Sequence, residues 1–294
     1  MGWVMKRPGW PVAVVGAGTM GHGIAQVAAR QGFEVRLYDA FPEVLADAMT
    51  KIELALDRAL ARGVLMPEQR EEALIRLHVV EELEKAVEGC GIVIEAVPED
   101  TTIKQPVFEE LDRLTPSNTI LATNTSALSI TLVAGWTQHP ERVLGLHFFN
   151  PPDRMPLIEV VKGLTTDGKT VERAIRFCSQ LGKETIVVTD RPGFATSRLS
   201  ALIGNEAWYM LMEGVASAQD IDKAMKLALG FPMGPFELGD LVGLDVRLSV
   251  LQYLHETLGE RFRPCPLLVE YVEAGYLGRK SGRGMYQYHA AQDG

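Results

Sequence analysis

The chain of 294 residues has few cysteines and no long apolar run. Its three cysteines, Cys90, Cys178 and Cys265, lie far apart and form no CxxC pair or cluster with histidine. We therefore expect neither a disulfide framework nor a metal site. No apolar stretch approaches the ~20 residues that a membrane-spanning helix needs, and the N-terminal residues lack the apolar core of a signal peptide. These absences favour a cytoplasmic protein that does not span a membrane.

Basic residues are also in the minority, with 29 lysines and arginines against 38 aspartates and glutamates, giving a formal net charge of −9. Proteins that bind nucleic acids or anionic membranes through charge need a basic surface. We therefore expect neither partner. Hydrophobic residues make up 47% of the chain, which is enough to build the core of one large domain or two smaller ones.

The first two thirds of the chain alternate short β-branched runs with helical stretches. This alternation predicts an α/β domain with a mainly parallel sheet. After Thr189 the strand pattern ends, and helix signals follow at Asp190–Pro192, Gly214, Ser217 and Gly230. We predict a domain at 1–189 and a smaller all-helical domain at 190–294. The predicted strands lie within the runs Pro11–Gly16, Glu34–Asp39, Gly91–Val97, Thr119–Thr123, Val143–Phe149, Pro156–Val161 and Glu184–Thr189.

A glycine-rich motif of the form GxGxxG follows the first predicted strand and opens a predicted helix. Its residues are Gly16, Ala17, Gly18, Thr19, Met20 and Gly21. In this context the motif predicts a Rossmann-type, doubly wound domain that binds a dinucleotide, with the pyrophosphate at the helix N-terminus. Asp39 ends the second run, where a carboxylate can accept hydrogen bonds from ribose hydroxyls. Because Ala40 and Phe41 follow instead of an arginine, NAD is favoured over NADP.

A histidine and a glutamate occupy two neighbouring apolar runs. His147 lies in VLGLHFF, Glu159 interrupts PLIEVV, and a turn-like segment centred on Asp153 joins them. In a hairpin about Asp153 the two residues face each other directly, close enough for a carboxylate–imidazole hydrogen bond. Such a pair suits general-base catalysis near neutral pH. A purely structural cross-strand pair, or a glutamate on a solvent face, is the alternative reading of the same spacing.

Several segments together resemble the L-3-hydroxyacyl-CoA dehydrogenases, including the 3-hydroxybutyryl-CoA dehydrogenases. The resemblance covers about Val12 to Tyr288 and rests on GAGTMGHGIAQVAA, NTSALSI, GLHFFNPPDRMPLIEVVKG, DRPGFATSRL, GFPMGPFELGDLVGLD and GYLGRKSGRGMYQY. It implies a Rossmann-type domain followed by a helical domain through which two subunits form a homodimer. It also implies oxidation of the 3-hydroxyl of an acyl-CoA by NAD, as in fatty acid metabolism.

The resemblance assigns a role to individual residues. It implies that His147 is the catalytic base, that Glu159 orients it, that Ser126 contacts substrate and nicotinamide, and that Asn150 hydrogen-bonds in the site. The cofactor-side positions that it implies are Glu99, Lys104, Asn124, Ser126, Asn150 and Lys280. Taken alone, Ser126 and Asn124 could merely cap a helix, Asn150 could form a turn, and the lysines could be solvated charges.

The chain departs from the family pattern where the substrate is expected. Ser197 stands in PGFATSR where the family has asparagine, so it can make one hydrogen bond in place of the two of an amide. The resemblance implies that Arg62 stands where family members have a lysine that contacts CoA. Lys51 and Arg58 lie on the same face of the predicted helix as Arg62. Two alternatives stay open: a dehydrogenase of the same fold for a sugar acid such as L-gulonate, and a non-catalytic NAD-binding or structural relative.

Overall fold

The computed structural model describes residues 9–288, which divide into two compact units between Asp190 and Arg191. The first unit contains an eight-stranded sheet with the strand order β3-β2-β1-β4-β5-β6-β7-β8. The strands are β1 Val12–Val15, β2 Val35–Tyr38, β3 Leu77–Val79, β4 Ile92–Glu95, β5 Ile120–Thr123, β6 Val143–Phe148, β7 Leu157–Lys162 and β8 Glu184–Thr189. Its helices are α1 Gly21–Arg30, α2 Pro42–Ala61, α3 Pro67–Ile75, α4 Leu83–Val87, α5 Thr101–Leu114, α6 Ile130–Ala134 and α7 Gly168–Gln180.

The sheet is parallel except for the pairing of β6 with β7. Its central strands β1, β4 and β5 are buried along their whole length, as expected for parallel strands covered on both faces, and this explains their nearly continuous apolar sequence. Each of the seven predicted runs overlaps a strand, and the α/β, Rossmann-type class is confirmed. The strand β3 was not predicted, because its three residues LHV are too short to form a pattern.

The second unit is formed by helices: α8 Thr196–Met212, α9 Ala218–Leu229, α10 Pro235–Val242, α11 Leu244–Leu258 and α12 Pro266–Glu273. The signal at Ser217 is confirmed, because its hydroxyl accepts a hydrogen bond from the Asp220 N–H at 3.1 Å. Gly230 ends α9 in the left-handed conformation, which glycine adopts without steric cost.

The predicted helix start at Asp190–Pro192 is wrong, since α8 begins only at Thr196. Gly193 has a φ of 74° and Phe194 a φ of 48°. Two successive residues with positive φ are incompatible with a right-handed helix, so the segment before Thr196 forms a turn.

Two buried carboxylates hold the last described residues of the chain to the second unit. Asp222 accepts hydrogen bonds from the Phe236 N–H at 2.9 Å and the Tyr286 hydroxyl at 2.7 Å. Asp240 accepts from the backbone N–H of Tyr286 at 2.9 Å and the hydroxyl of Tyr288 at 3.0 Å. Both aspartates are 1% exposed, so these donors offset the cost of removing the carboxylates from water.

Candidate functional site

The predicted site residues of the first unit follow neighbouring parallel strands. The glycine loop follows β1, Asp39 follows β2, Glu99 follows β4, and Asn124 and Ser126 follow β5. His147 is the last residue but one of β6, which is parallel to β5. Because parallel strands end at the same edge of a sheet, all of these residues lie at one edge, where open α/β sheets bind their ligands.

The glycine loop is shaped by close backbone approaches. Gly16 has a φ of 99°, and a Cβ atom there would lie 2.6 Å from the carbonyl carbon of Ala96. A Cβ atom on Gly21 would lie 1.7 Å from the carbonyl oxygen of Gly16. Gly18 differs, because nothing lies within 4 Å of its Cβ position. The loop therefore needs glycine at its ends for folding, whereas Gly18 borders open space.

That open space lies at the N-terminus of α1. Among residues 9–288, the backbone N–H groups of Gly18, Thr19 and Met20 donate to no other residue. Free N–H groups at a helix N-terminus are suited to phosphate, both as hydrogen-bond donors and through the helix dipole. The loop therefore fits the pyrophosphate of a dinucleotide.

Asp39 lies directly beside this loop. Its Oδ2 accepts a hydrogen bond from the Ala17 N–H at 2.8 Å, and its Oδ1 accepts from the Phe41 N–H at 3.1 Å. A carboxylate has about four lone-pair sites, so two remain for ribose hydroxyls. The two backbone contacts fix the carboxylate at the end of β2, which is the position that the sequence predicts for a ribose contact.

His147 and Glu159 are direct cross-strand partners in the antiparallel register of β6 and β7. The His147 Nδ1 lies 2.7 Å from the Glu159 Oε2. Glu159 is fully buried, and His147 is 7% exposed. An ionised carboxylate only accepts hydrogen bonds, so pairing with Glu159 favours the tautomer that has the proton on Nδ1 and the lone pair on Nε2. The predicted pairing of these two residues is present in the structure.

Asn124 connects the loop after β5 to the strand that carries His147. Its Oδ1 accepts a hydrogen bond from the Phe148 N–H at 3.0 Å. Ser126 is exposed, and its backbone N–H donates to the Glu99 Oε1 at 3.2 Å. Glu99 also accepts a hydrogen bond from the Thr125 hydroxyl. These contacts hold the NTS turn between the ends of β4 and β6.

Lys104 is fully buried and lies behind this turn. Its Nζ is 2.7 Å and 2.9 Å from the two carboxylate oxygens of Glu95 and 3.6 Å from the Glu99 Oε2. Burial raises the pKa of Glu95, while Lys104 and the Thr123 hydroxyl oppose that shift. The ammonium of Lys104 is therefore linked to this edge of the sheet by its ion pair with Glu99. Its predicted place beside the cofactor stays a prediction.

Glu95 is a buried carboxylate beside the candidate site, and the sequence analysis did not single it out. It is 0% exposed and also accepts the Val97 N–H at 2.7 Å and the Thr123 hydroxyl at 2.7 Å. The signal was available, because Glu95 interrupts the apolar run GIVIEAV just as Glu159 interrupts PLIEVV. A charged residue in a buried strand requires a partner, and Lys104, nine positions later, supplies it.

The predicted CoA contacts lie on and just after α2. Arg62 is the first residue after the helix, and its Nε donates to the carbonyl of Arg58 at 3.2 Å. Lys51 pairs with Asp47 at 2.5 Å. Within the described range 9–288, neither Arg58 nor Arg62 forms an ion pair with a carboxylate. Both are exposed, so their guanidinium groups are available to phosphates.

Two predicted residues belong to the second unit. Ser197 is the second residue of α8. The Lys280 ammonium lies 2.7 Å from the Asp245 carboxylate. Asn205, two turns after Ser197, is buried and holds the Arg263 carbonyl and the Cys265 N–H. Asn205 therefore does not take the place of the asparagine that the family has at the position of Ser197.

The described residues hold no group of three or more histidine, cysteine, aspartate or glutamate side chains that could bind a metal ion. Likewise, none of the helices between residues 9 and 288 is both long and apolar enough to cross a bilayer.

Comparison with known proteins matches both units to one protein family. Residues 11–191 match the family model described as 3-hydroxyacyl-CoA dehydrogenase, NAD binding domain, and residues 193–288 match the C-terminal domain of that family. The chain is 44% identical over 278 residues to a probable 3-hydroxybutyryl-CoA dehydrogenase of Bacillus subtilis, covering 94% of this chain and 96% of that one. It is 44% identical over 282 residues to the 3-hydroxybutyryl-CoA dehydrogenase of Bradyrhizobium diazoefficiens, covering 96% of each chain.

The fold agrees with a solved structure over nearly the whole chain. The crystal structure of (S)-3-hydroxybutyryl-CoA dehydrogenase from Ralstonia eutropha has a TM-score of 0.91 and 38% identity, covering 95% of this chain and 99% of that one. The chain belongs to the 3-hydroxyacyl-CoA dehydrogenase family.

Proposed function

We propose that this chain oxidises (3S)-3-hydroxyacyl-CoA to 3-oxoacyl-CoA with NAD, in a reversible reaction. The observation that carries the proposal is the buried His147–Glu159 pair at the sheet edge that also carries the glycine loop. The relatives at 44% identity that are named 3-hydroxybutyryl-CoA dehydrogenases support this substrate class.

The residues at the edge fit NAD. The open space beside Gly18 and the free N–H groups of the loop suit the pyrophosphate, and Asp39 suits the adenosine ribose. Glu99, Asn124, Ser126 and Asn150 follow the strands next to the loop, and they form the nicotinamide side of the proposed site with Lys104 behind them. Lys280 is the contact proposed from the second unit. When bound, NAD supplies the hydride acceptor.

His147 is the proposed general base. Its Nε2 takes the proton of the substrate 3-hydroxyl as the C3 hydride departs. Glu159 holds Nδ1–H at 2.7 Å, which fixes the tautomer and stabilises the positive charge that forms on the imidazole. Since Glu159 is fully buried, little water screens this interaction.

Ser126 and Asn150 hold the reacting oxygen in the proposed site. Ser126 presents an exposed hydroxyl at the end of β5, and Asn150 follows β6 two residues after its end. Both can hydrogen-bond to the 3-oxygen and so orient the C3–H bond, and such alignment accounts for a large part of catalysis by positioning. Arg62 is the proposed contact to the CoA phosphates, and Ser197 the proposed contact from α8.

We further propose a cytoplasmic homodimer that forms through residues 190–294. The exposed apolar side chains of α8 support this assembly. Leu199 is 61% exposed and Ile203 is 37% exposed, and their spacing of four residues places them on one face of the helix.

Loss of NADH absorbance with acetoacetyl-CoA tests the activity directly. We expect turnover with acetoacetyl-CoA and none with L-gulonate and NAD. In the variant His147→Gln, kcat is expected to fall by about 10²–10⁴-fold, the usual contribution of a general base, while NADH still binds. Near-normal turnover in this variant would exclude His147 as the base. Turnover with L-gulonate alone would move the chain to the sugar-acid branch.

A further inference from the structure

Lys183 holds the loop that joins β6 to β7. Its Nζ donates to the carbonyl oxygen of Pro152 at 2.6 Å and to that of Met155 at 2.7 Å. The Glu184 N–H, one residue later, donates to the carbonyl of Pro156 at 2.8 Å. Lys183 and the first residue of β8 therefore bind this loop at three carbonyl oxygens. Lys183 belongs to neither the glycine motif nor the His147–Glu159 pair.

The Lys183 side chain is partly shielded from solvent. Its side chain is half-buried, and this burial lowers its pKa, while Asp153 opposes the shift. An ammonium has three donors, and two of them are used on one loop. Such contacts suit a group whose role is to fix backbone rather than to meet solvent.

The same loop also packs against α1. Pro152 is buried, and a Cβ atom on Gly23 would lie 2.9 Å from its Cδ. Gly23 follows the dinucleotide loop by two residues. The Pro152 segment is therefore in contact both with the phosphate-binding helix and with Lys183.

This segment begins where the proposed catalytic residues end. Asn150 lies two residues before Pro152, and His147 lies three residues before Asn150, near the end of β6. Because the Pro152 ring packs against Gly23 of α1, we expect a shift of the Pro152 carbonyl to move this end of β6 relative to α1. A displacement of about 1 Å in a site that aligns two reactants can lower the rate by 10²-fold.

We propose that Lys183 is a positioning residue, which sets Asn150 and the end of the His147 strand relative to the dinucleotide loop. This role rests on the proposed function. It predicts that the chemical step is impaired more than the binding of NADH, because the hydrogen bonds of the Lys183 ammonium go to Pro152 and Met155 and not to the glycine loop or Asp39.

The test compares Lys183→Met with Lys183→Arg and with the control Lys162→Met. Methionine keeps the unbranched apolar stem and removes the donors, whereas arginine keeps donors that reach two carbonyls. Lys162 is exposed at the end of β7, so its variant controls for the loss of a lysine near the hairpin. The measurements are the NADH dissociation constant by fluorescence titration, and kcat and KM for acetoacetyl-CoA.

For Lys183→Met we expect kcat to fall at least about tenfold, with the NADH dissociation constant and the KM each within about twofold of the parent protein. Lys183→Arg should recover most of kcat, and Lys162→Met should match the parent. The role is contradicted if Lys183→Met keeps kcat within twofold, if NADH binding weakens in parallel with kcat, or if arginine fails to recover activity.

Two further outcomes keep the hypotheses separate. If Lys183→Met does not fold, Lys183→Gln replaces it under the same criteria, because its amide nitrogen is one bond closer to the backbone and does not reach both carbonyls as the lysine ammonium does. If the parent protein itself does not turn over acetoacetyl-CoA, the proposed function fails and this role fails with it. An active parent with an unaffected Lys183→Met variant contradicts only the role of Lys183.

Discussion

Glu159 is a fully buried carboxylate in the middle of an apolar strand. An ionised carboxylate in such a place is costly unless a partner offsets the loss of water. His147 provides that partner across the strand pair. The pair therefore has two effects, since it makes the buried charge tolerable and it orients the imidazole.

The variant Glu159→Gln separates these two effects. The glutamine oxygen can still accept from Nδ1–H, but the amide lacks the negative charge that stabilises the protonated imidazole. We expect kcat to fall by roughly 10–100-fold, below the loss for removing the base itself, with NADH affinity unchanged. Glu184→Gln, an exposed glutamate at the start of the neighbouring β8, is the matched control. Equal kcat values for the two variants would exclude a catalytic role for Glu159.

The glycine loop allows cofactor binding and folding to be tested apart. Gly18 does not have a left-handed φ, and nothing surrounds its Cβ position. Gly18→Ala should therefore fold with an unchanged melting temperature while NADH binds at least about tenfold more weakly, because the methyl group occupies the space for the pyrophosphate. Gly21→Ala should lower the free energy of unfolding by about 2 kcal/mol or more, as overpacking does. Unchanged NADH affinity in Gly18→Ala would place the phosphates elsewhere.

At the level of elements, the contact between α5 and the start of β6 depends on a buried ion pair. Arg142 is 2% exposed, and its Nη2 donates to the Asp112 Oδ1 at 2.6 Å. Partial burial acts to raise the pKa of Asp112. Hydrogen bonds from Arg142, the Gln138 N–H and His139 outweigh that effect and hold the pKa below its ordinary value.

This lowered pKa gives the pair a defined pH dependence. A carboxyl group with a lower pKa in the folded state stabilises the fold above its unfolded pKa of about 3.9, and the stabilisation is lost as pH falls through the folded pKa. Asp112→Asn should lower the free energy of unfolding by about 1–3 kcal/mol at pH 7, and the difference from the parent should shrink below about pH 4. Urea denaturation at pH 7, 5, 4 and 3 measures this.

The control for this experiment is Asp47→Asn, because Asp47 forms an exposed pair with Lys51. Exposed pairs contribute little, so we expect a change below about 0.5 kcal/mol at every pH. A difference for Asp112→Asn that stays constant down to pH 3 would contradict the pH dependence.

The elements that could be predicted from the sequence are those with a local pattern. The start of α1 is indicated by the glycine motif, and the observed register of the β6–β7 hairpin is the one expected for a turn centred on Asp153. The spacing alone left a solvent-facing Glu159 as an alternative, and only the structure shows that its carboxylate is buried. The start of α8 could not be predicted, because the left-handed φ of Phe194 depends on its surroundings and not on residue type. The burial of Lys104 and the hydrogen bonds of Lys183 to the β6–β7 loop depend on contacts between different elements. Hydrophobic periodicity within one element does not indicate such contacts.

On the scale of the whole molecule, an acidic chain must bind a polyanionic substrate. The net charge of −9 disfavours the approach of CoA esters, so we expect local arginines such as the proposed contact Arg62 to compensate. The proposed dimer adds a second requirement, which is a continuous apolar face on the helical unit.

The assembly can be measured by sedimentation or by light scattering. We expect the parent protein to have twice the mass of the chain and Ile203→Glu to be a monomer, because a charge buried in an interface without a partner costs several kcal/mol. Leu164→Glu, at a residue 84% exposed in the first unit, should remain a dimer. A monomeric parent protein, or a dimeric Ile203→Glu variant, would contradict assembly through this face.

The contact between Gly23 and Pro152 has a consequence for protein engineering. The two positions are 129 residues apart in the chain, yet a side chain at one and the proline ring at the other compete for the same volume. Substitutions there should show strong epistasis. A chimera that takes its first βαβ half from one parent and its hairpin from another should be viable only when both positions descend from the same parent.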